Sequence, residues 1–175
     1  GTILAVGDNL KVPHKVGDRV HINGPGTYQQ YLVTSSDQVS PILQPDLSFE
    51  DAASHFVNPA TVCYMGVVAE REGHKAAIHT AGASALGRML IRYFKLKGIK
   101  LINIVRREEY VEELLKEGAD YVLNSTAPDF ETKFKEIAEK ENATVAFDAI
   151  AGDFTSKVMA AQPPGSTCYV YGALG

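Results

Sequence analysis

From Ala76 to Tyr171 short apolar, β-branched runs alternate with longer segments of helical period. No other feature constrains the fold as much. The expected strands are residues 76–80, 99–105, 121–123, 144–147 and 167–171. The expected helices between them are 86–97, 108–117, 130–140 and 154–161. Gly98 and Gly118 stop the first two helices, and Asp129 is the expected cap of the third. Five strands with helices between them specify an α/β fold, a doubly wound parallel sheet. Right-handed crossovers leave little choice of topology. A ligand crevice then lies at the carboxyl ends of the strands, at residues 80–84, 105–107, 124–125, 148–150 and 171–174.

The part before this alternation reads differently. Up to about Pro45 the pattern is β-rich, with strands expected at 3–6, 19–22 and 28–33 and a turn cluster at 23–26. Ser48, three residues before Asp51, opens a short helix in a near capping-box arrangement. Asn58 and Pro59 are the expected cap and first position of a second helix running to Glu70.

The turn after the first strand of the alternating region reads Thr80-Ala81-Gly82-Ala83-Ser84-Ala85-Leu86-Gly87. It approximates the dinucleotide fingerprint G-x-G-x-x-G, with Ser84 in place of the middle glycine. The first glycine allows the tight turn, the third lets the helix lie close on the sheet, and the small Ser84 still admits a pyrophosphate. The helix N-terminus adds free N–H groups and partial positive charge. The plainer reading is a small, tight strand-to-helix turn. The second strand ends in Val105-Arg106-Arg107, where an NAD site carries a carboxylate. Two guanidinium groups suit a ribose 2′-phosphate. The plainer reading is two solvated arginines paired with Glu108 or Glu109.

Composition narrows the alternatives. The 175 residues carry a formal net charge of −4, so there is no basic footprint for nucleic acid. No apolar run approaches the ~20 residues that cross a bilayer. The two cysteines, Cys63 and Cys168, have no metal or disulfide spacing, which favours a reducing, cytosolic compartment. Cys63 is expected to pack on the apolar face of its helix, and Cys168 to pack in its strand. The five histidines share no ligand spacing. His79 ends the first strand of the sheet and reads as a packing residue that could also approach a cofactor. Asp148, at another strand end, reads as a structural or cofactor-orienting carboxylate.

These residues resemble the medium-chain dehydrogenase/reductase superfamily in its zinc-independent, quinone oxidoreductase-like branch. The similarity runs through Gly1-Thr2-Ile3-Leu4-Ala5-Val6-Gly7, Val16-Gly17-Asp18-Arg19-Val20, Gly26-Thr27-Tyr28, Val57-Asn58-Pro59-Ala60-Thr61, Phe147-Asp148 and Tyr171-Gly172-Ala173-Leu174. Ser84 and Val105-Arg106-Arg107 are most similar to the enoyl-thioester reductase members. The resemblance implies that residues 1–54 are part of a GroES-like catalytic domain. It implies that residues 55–175 are a Rossmann NADP(H)-binding domain lacking its last strand. Implied cofactor contacts are Asn58, Thr61, Gly82, Ala83, Ser84, Ala85, Leu86, Arg106, Arg107, Tyr171, Gly172, Ala173 and Leu174, with Tyr110 and Ser125 near the adenosine.

The departures from the family also carry information. Only residues 21–25 separate Val20 from Gly26, so the four-cysteine lobe of zinc-dependent members is absent. Val57 stands near the position of a catalytic zinc ligand and cannot bind metal, so no metal is expected. The family also has segments before Gly1 and after Gly175, including a tyrosine proton donor and a sixth strand. The resemblance implies an NADP(H)-dependent oxidoreductase passing hydride to a quinone or an activated C=C such as an enone, with no catalytic residue identifiable in this stretch. The alternative is a truncated, non-catalytic NADP(H)-binding protein. RNA binding through the dinucleotide fold is disfavoured by the acidic charge. An exposed last strand predicts a homodimer, and a cytoplasmic location is expected, with a mitochondrial one as the alternative.

Overall fold

The computed structural model describes all 175 residues. The chain divides into two compact units, Gly1–Val57 and Asn58–Gly175.

In the first unit, β1 (Val20–Ile22) runs antiparallel to β2 (Val39–Pro41), with Val20 opposite Pro41 and Ile22 opposite Val39. A 3₁₀ turn at Ser36–Gln38 leads into β2. Helix α1 (Phe49–Ser54) is capped by Ser48, whose Oγ accepts from the Asp51 amide at 3.0 Å and donates to the Asp51 carboxylate at 2.8 Å. Arg19 lies over the Phe49 ring and donates to the carbonyls of Pro45 and Leu47. Two expected strands do not form. Residues 3–6 contribute no strand, the nearest pairing being one bridge between Thr2 and Arg19. Residues 28–33 are irregular, with Tyr28 and Val33 fully exposed. An apolar alternation becomes a strand only where a partner edge and a covering layer exist. β2, absent from the sequence reading, supplies the pairing instead.

In the second unit the elements are α2 (Val57–Arg71, begun in the first unit's last residue), β3 (Ala76–Thr80), α3 (Ala85–Lys97), β4 (Lys100–Val105), α4 (Glu109–Lys116), β5 (Tyr121–Asn124), α5 (Phe130–Lys140), β6 (Val145–Asp148), α6 (Asp153–Ala161) and β7 (Thr167–Val170). The sheet order is β5-β4-β3-β6-β7 and every pairing is parallel. This is the doubly wound sheet read from the sequence, with element ends within one residue of expectation. α2 begins at Val57 rather than at an Asn58 cap, so Pro59 sits in the first turn, where its missing N–H costs nothing.

Strand alternation gives the sheet two apolar faces. Ala77, Leu101, Val105, Val145 and Phe147 pack against Met65 of α2, Leu90 and Phe94 of α3, and Leu114 of α4. Ile78, Ile102, Ile104 and Ala146 pack against Phe130 and Phe134 of α5 and Val158 of α6. Full burial of such a side chain contributes about 1.5–3 kcal/mol. Gly98, at φ +66°, closes α3 as expected. Asp129 is the N-cap residue of α5, as expected, but its side chain makes no capping hydrogen bond; its carboxylate pairs with Lys133 at 2.6 Å, one turn along the exposed face. Cys63 does not pack as expected: it is exposed on α2, because Val62 and Met65 take the inward positions. Cys168 is half-buried against the second core. No helix is long and apolar enough to cross a membrane.

Candidate functional site

Strand order reverses between β3 and β6, because β3 continues to β4 on one side while the chain returns from β5 to β6 on the other. A doubly wound sheet opens its crevice at such a point, outside the carboxyl ends of the strands. A cleft of about 280 Å³ lies there, lined by Ala81, Ala83, Ser84, Ile104, Val105, Arg106, Arg107, Tyr110, Ile150 and Leu174. That volume falls just below the ~300–1,000 Å³ of pockets that hold a whole small ligand, so the cleft accommodates part of a dinucleotide.

The glycine turn is built differently from its sequence reading. The residue in the left-handed region is Ala81, at φ +64°, and not Gly82. Gly82 is required by space: a Cβ there would lie 2.8 Å from Cβ of the buried Asn103. Gly87 is tighter still, since its Cβ would lie 2.3 Å from the Gly82 carbonyl oxygen. Ser84 is more than a small substitute for glycine. It is the N-cap of α3, its Oγ accepting from the Gly87 amide at 3.0 Å. The amides of Ala85 and Leu86 open the helix with no intrahelical acceptor, which leaves them for an anion.

The two arginines differ. Arg107 pairs with Glu109 at 3.2 Å and lies over the Tyr110 ring at 5.9 Å. Glu108, the other carboxylate in reach by sequence, accepts instead from the Asn124 amide at 2.8 Å. Arg106 is exposed and has no ion pair or hydrogen bond within the chain. The plain reading of two neutralised surface arginines therefore describes Arg107 and not Arg106.

The floor of the crevice is a buried polar cluster. Thr80 donates to Asp148 across the switch point at 2.7 Å and accepts from the Ala149 amide at 2.7 Å. The Asp148 carboxylate also accepts from Thr155 at 2.6 Å and from the amides of Ile150 and Ala151 at 2.8 and 3.3 Å. Burial opposes its ionisation, but these hydrogen bonds outweigh burial and hold the carboxyl below its usual range. Asp148 thus shapes the turn from β6 into α6. His79 is fully buried, and its Nε2 lies 2.7 Å from the Tyr171 hydroxyl.

Of the residues expected at the site, Ala83, Ser84, Arg106, Arg107, Tyr110 and Leu174 line the cleft. Gly82, Ala85 and Leu86 form its turn and helix start. Ser125 is tied by its amide to the Val105 carbonyl at 2.8 Å, beside the arginine strand end. Tyr171, Gly172 and Ala173 follow β7, where the Tyr171 and Leu174 amides bond the carbonyls of Asp148 and Ala149. Asn58 and Thr61 lie in the first turns of α2 and do not line the cleft. Ile104, the penultimate residue of β4, lines it and was not singled out; Ile150, two residues beyond β6, lines it as the 148–150 stretch expected at the crevice.

The model of the zinc-binding dehydrogenase family matches residues 85–175. The mitochondrial enoyl-[acyl-carrier-protein] reductase of Caenorhabditis elegans is 35% identical over 131 residues, 70% of this chain and 37% of that protein. Quinone oxidoreductase 1 of Escherichia coli is 30% identical over 157 residues, 87% of this chain and 47% of its own length. Among solved structures, a Mesorhizobium loti protein described as an NADPH:quinone reductase superposes with a TM-score of 0.85 at 35% identity, covering 91% of this chain and 47% of that one. The NADPH complex of Escherichia coli quinone oxidoreductase gives 0.82 at 25% identity, covering 100% and 55%. The chain spans about half the length of these relatives or less.

Proposed function

Because this chain belongs to the zinc-binding dehydrogenase family, we propose that it is the NADP(H)-binding part of an oxidoreductase that passes hydride to a quinone or an activated C=C. One observation carries the reading: the glycine turn, the open amides of α3 and the unpaired Arg106 converge on one cleft at the switch point. In this reading the amides of Ala85 and Leu86 hold the pyrophosphate, and Arg106, with Arg107 beside it, holds the ribose 2′-phosphate. Tyr110 and Ser125 flank the adenosine, and residues 171–174 face the other half of the cofactor. Asn58 and Thr61 are part of that other half's surroundings by resemblance alone. Residues 1–54 belong to the GroES-like domain of the same enzyme, and a homodimer is the assembly we expect.

The cleft fits the group. It is sized for part of a dinucleotide, and side chains at Gly82 and Gly87 would close its turn. When bound, the reduced nicotinamide supplies the hydride. The residues of this chain bind and orient; none of them is assigned as proton donor. Zinc, by contrast, does not fit: no three His, Cys, Asp or Glu side chains are grouped to hold a metal ion.

The test is calorimetric titration of the chain with NADPH and NADH, before and after replacing Arg106 and Arg107 together with alanine. A charge-assisted hydrogen bond is worth about 1.5–3 kcal/mol. NADPH binding should weaken at least tenfold and NADH binding should hardly change. Equal losses for both cofactors would refute the phosphate assignment.

A further inference from the structure

The fully buried His79 and the partly exposed Tyr171 form a polar pair, and the cofactor-binding scheme gives His79 no role. The two rings are stacked, 17° apart in plane and 6.1 Å between centroids. His79 Nε2 is 2.7 Å from the Tyr171 hydroxyl, and His79 Nδ1 is buried with no hydrogen-bond partner. Burial holds the imidazole neutral, pushing its pKa down to about 4 against the pull of Asp148. A neutral imidazole has one N–H and one lone pair to distribute between its nitrogens. With the proton on Nδ1, a buried donor would be orphaned. With the proton on Nε2, only a lone pair is orphaned. Orphaned buried donors are the rarer case in folded proteins. Nε2–H therefore donates to the Tyr171 oxygen, and the hydroxyl proton of Tyr171 is left without an acceptor in the chain.

The placement of Tyr171 says where that proton can go. Tyr171 directly follows β7 at the carboxyl edge of the sheet and is 38% exposed. Its amide is fixed to the Asp148 carbonyl at 2.9 Å. The next residue, Gly172, lies so close to Ala149 that a Cβ would be 2.9 Å from the Ala149 oxygen. The backbone is thus pinned on one side and the ring on the other. The switch point divides the crevice: the turn after β3 and Arg106 after β4 lie on one side, and β6 and β7 on the other. A dinucleotide spans such a crevice with one half on each side. Tyr171 belongs to the half away from Arg106.

We propose that His79 is a positioning residue, which holds the Tyr171 hydroxyl as a hydrogen-bond donor to a carbonyl oxygen of the class that a nicotinamide carboxamide presents. This rests on the NADP(H) reading above. Burial and the Asp148 charge push the Tyr171 hydroxyl up to about 12, so at neutral pH it keeps its proton and offers a hydrogen bond.

The experiment titrates the chain with two probes, NADPH and 2′,5′-ADP, which carries the adenosine and 2′-phosphate but no nicotinamide. Tyr171→Phe should weaken NADPH binding about five- to tenfold, the effect of losing one hydrogen bond, and leave 2′,5′-ADP unchanged. His79→Leu should do the same, and His79→Gln, whose amide can still donate to the tyrosine oxygen, should recover most of the loss. Unchanged NADPH affinity in Tyr171→Phe overturns the proposal. So does an equal loss of both probes in His79→Leu without recovery in His79→Gln, which marks a merely structural role. Nitrogen-15 NMR of the unmodified chain should find His79 protonated at Nε2; a proton at Nδ1 overturns the assignment without any variant. Binding of neither probe to the unmodified chain overturns the cofactor reading itself, and this proposal with it.

Discussion

Arg106 and Arg107 are adjacent and identical in type, yet their surroundings differ. Arg107 is engaged with Glu109 and Tyr110, so part of its interaction with a phosphate would replace contacts it already has. Arg106 has no such partner. Arg106→Ala alone should therefore weaken NADPH binding about tenfold and Arg107→Ala by about half as much in free energy; titration of the two single variants decides it, and a larger loss at Arg107 would reverse the assignment. His79 gives a second prediction, on stability. Its pKa is about 4 when folded, for burial, with Asp148 opposing and the Tyr171 hydroxyl facing it, against about 6.5 unfolded. Above pH 6.5 it is neutral in both states and contributes nothing. As pH falls from 6.5 towards 4 the unfolded chain takes up a proton that the folded chain refuses, so stability is lost by up to ~3 kcal/mol and no further below that range. Urea unfolding at pH 7 and pH 4.5 should show this loss in the unmodified chain and a shallower one, by about 2 kcal/mol, in His79→Gln; parallel losses would show that another group is responsible. The sequence marked His79 as a packing residue that could also approach a cofactor, but not its pairing with Tyr171, which is 92 residues away with no local pattern to connect them.

At the scale of elements, legibility follows how locally each element is determined. The helices and strands from α2 to β7 were readable because their signals are local: Ser84 and Gly98 bracket α3, and β-branched runs form β4. The first unit was readable only in part: the strand at 19–22 and the Ser48-capped α1 formed where expected, but β2 was missed because it and β1 depend on each other across a 16-residue separation, and residues 28–33 have strand composition but no edge to join. The turn at Gly82 was located correctly but misread in mechanism, since only the fold brings Asn103 beneath it. That turn allows a graded prediction. Ser84→Ala removes the cap of α3 and should cost about 1 kcal/mol. Gly87→Ala forces a methyl group against the Gly82 carbonyl, backbone on backbone, and should cost roughly 1–3 kcal/mol as overpacking does, with NADPH binding lost as the turn shifts. Denaturant unfolding beside cofactor titration checks both. If Gly87→Ala were as stable as the unmodified chain, the close packing of α3 on the turn would be wrong.

At the scale of the whole molecule, the sheet has two edges, β5 and β7, and they are not equally guarded. β5 is followed by α5, and Tyr121 and Asn124 carry side-chain hydrogen bonds to Glu141 and Glu108. β7 pairs only with β6, and its outer N–H and C=O groups have no strand beside them in this chain. Its end residues Thr167 and Val170 are exposed, and Val170 is 52% exposed. It carries no charged residue and no proline, the devices that keep an edge from pairing. An uncharged, partly apolar edge of this kind is open to pairing with a copy of itself by extending the sheet. The net charge of −4 is small for 175 residues and opposes that pairing only weakly. The purified chain should sediment as a concentration-dependent dimer in analytical ultracentrifugation. Val170→Lys places a charge on the edge and should shift the equilibrium towards monomer by at least tenfold, while binding of 2′,5′-ADP, which in the proposed reading engages the turn after β3 and the arginines after β4 on the other side of the switch point, is retained. A dimer indifferent to this substitution would place the contact elsewhere on the molecule.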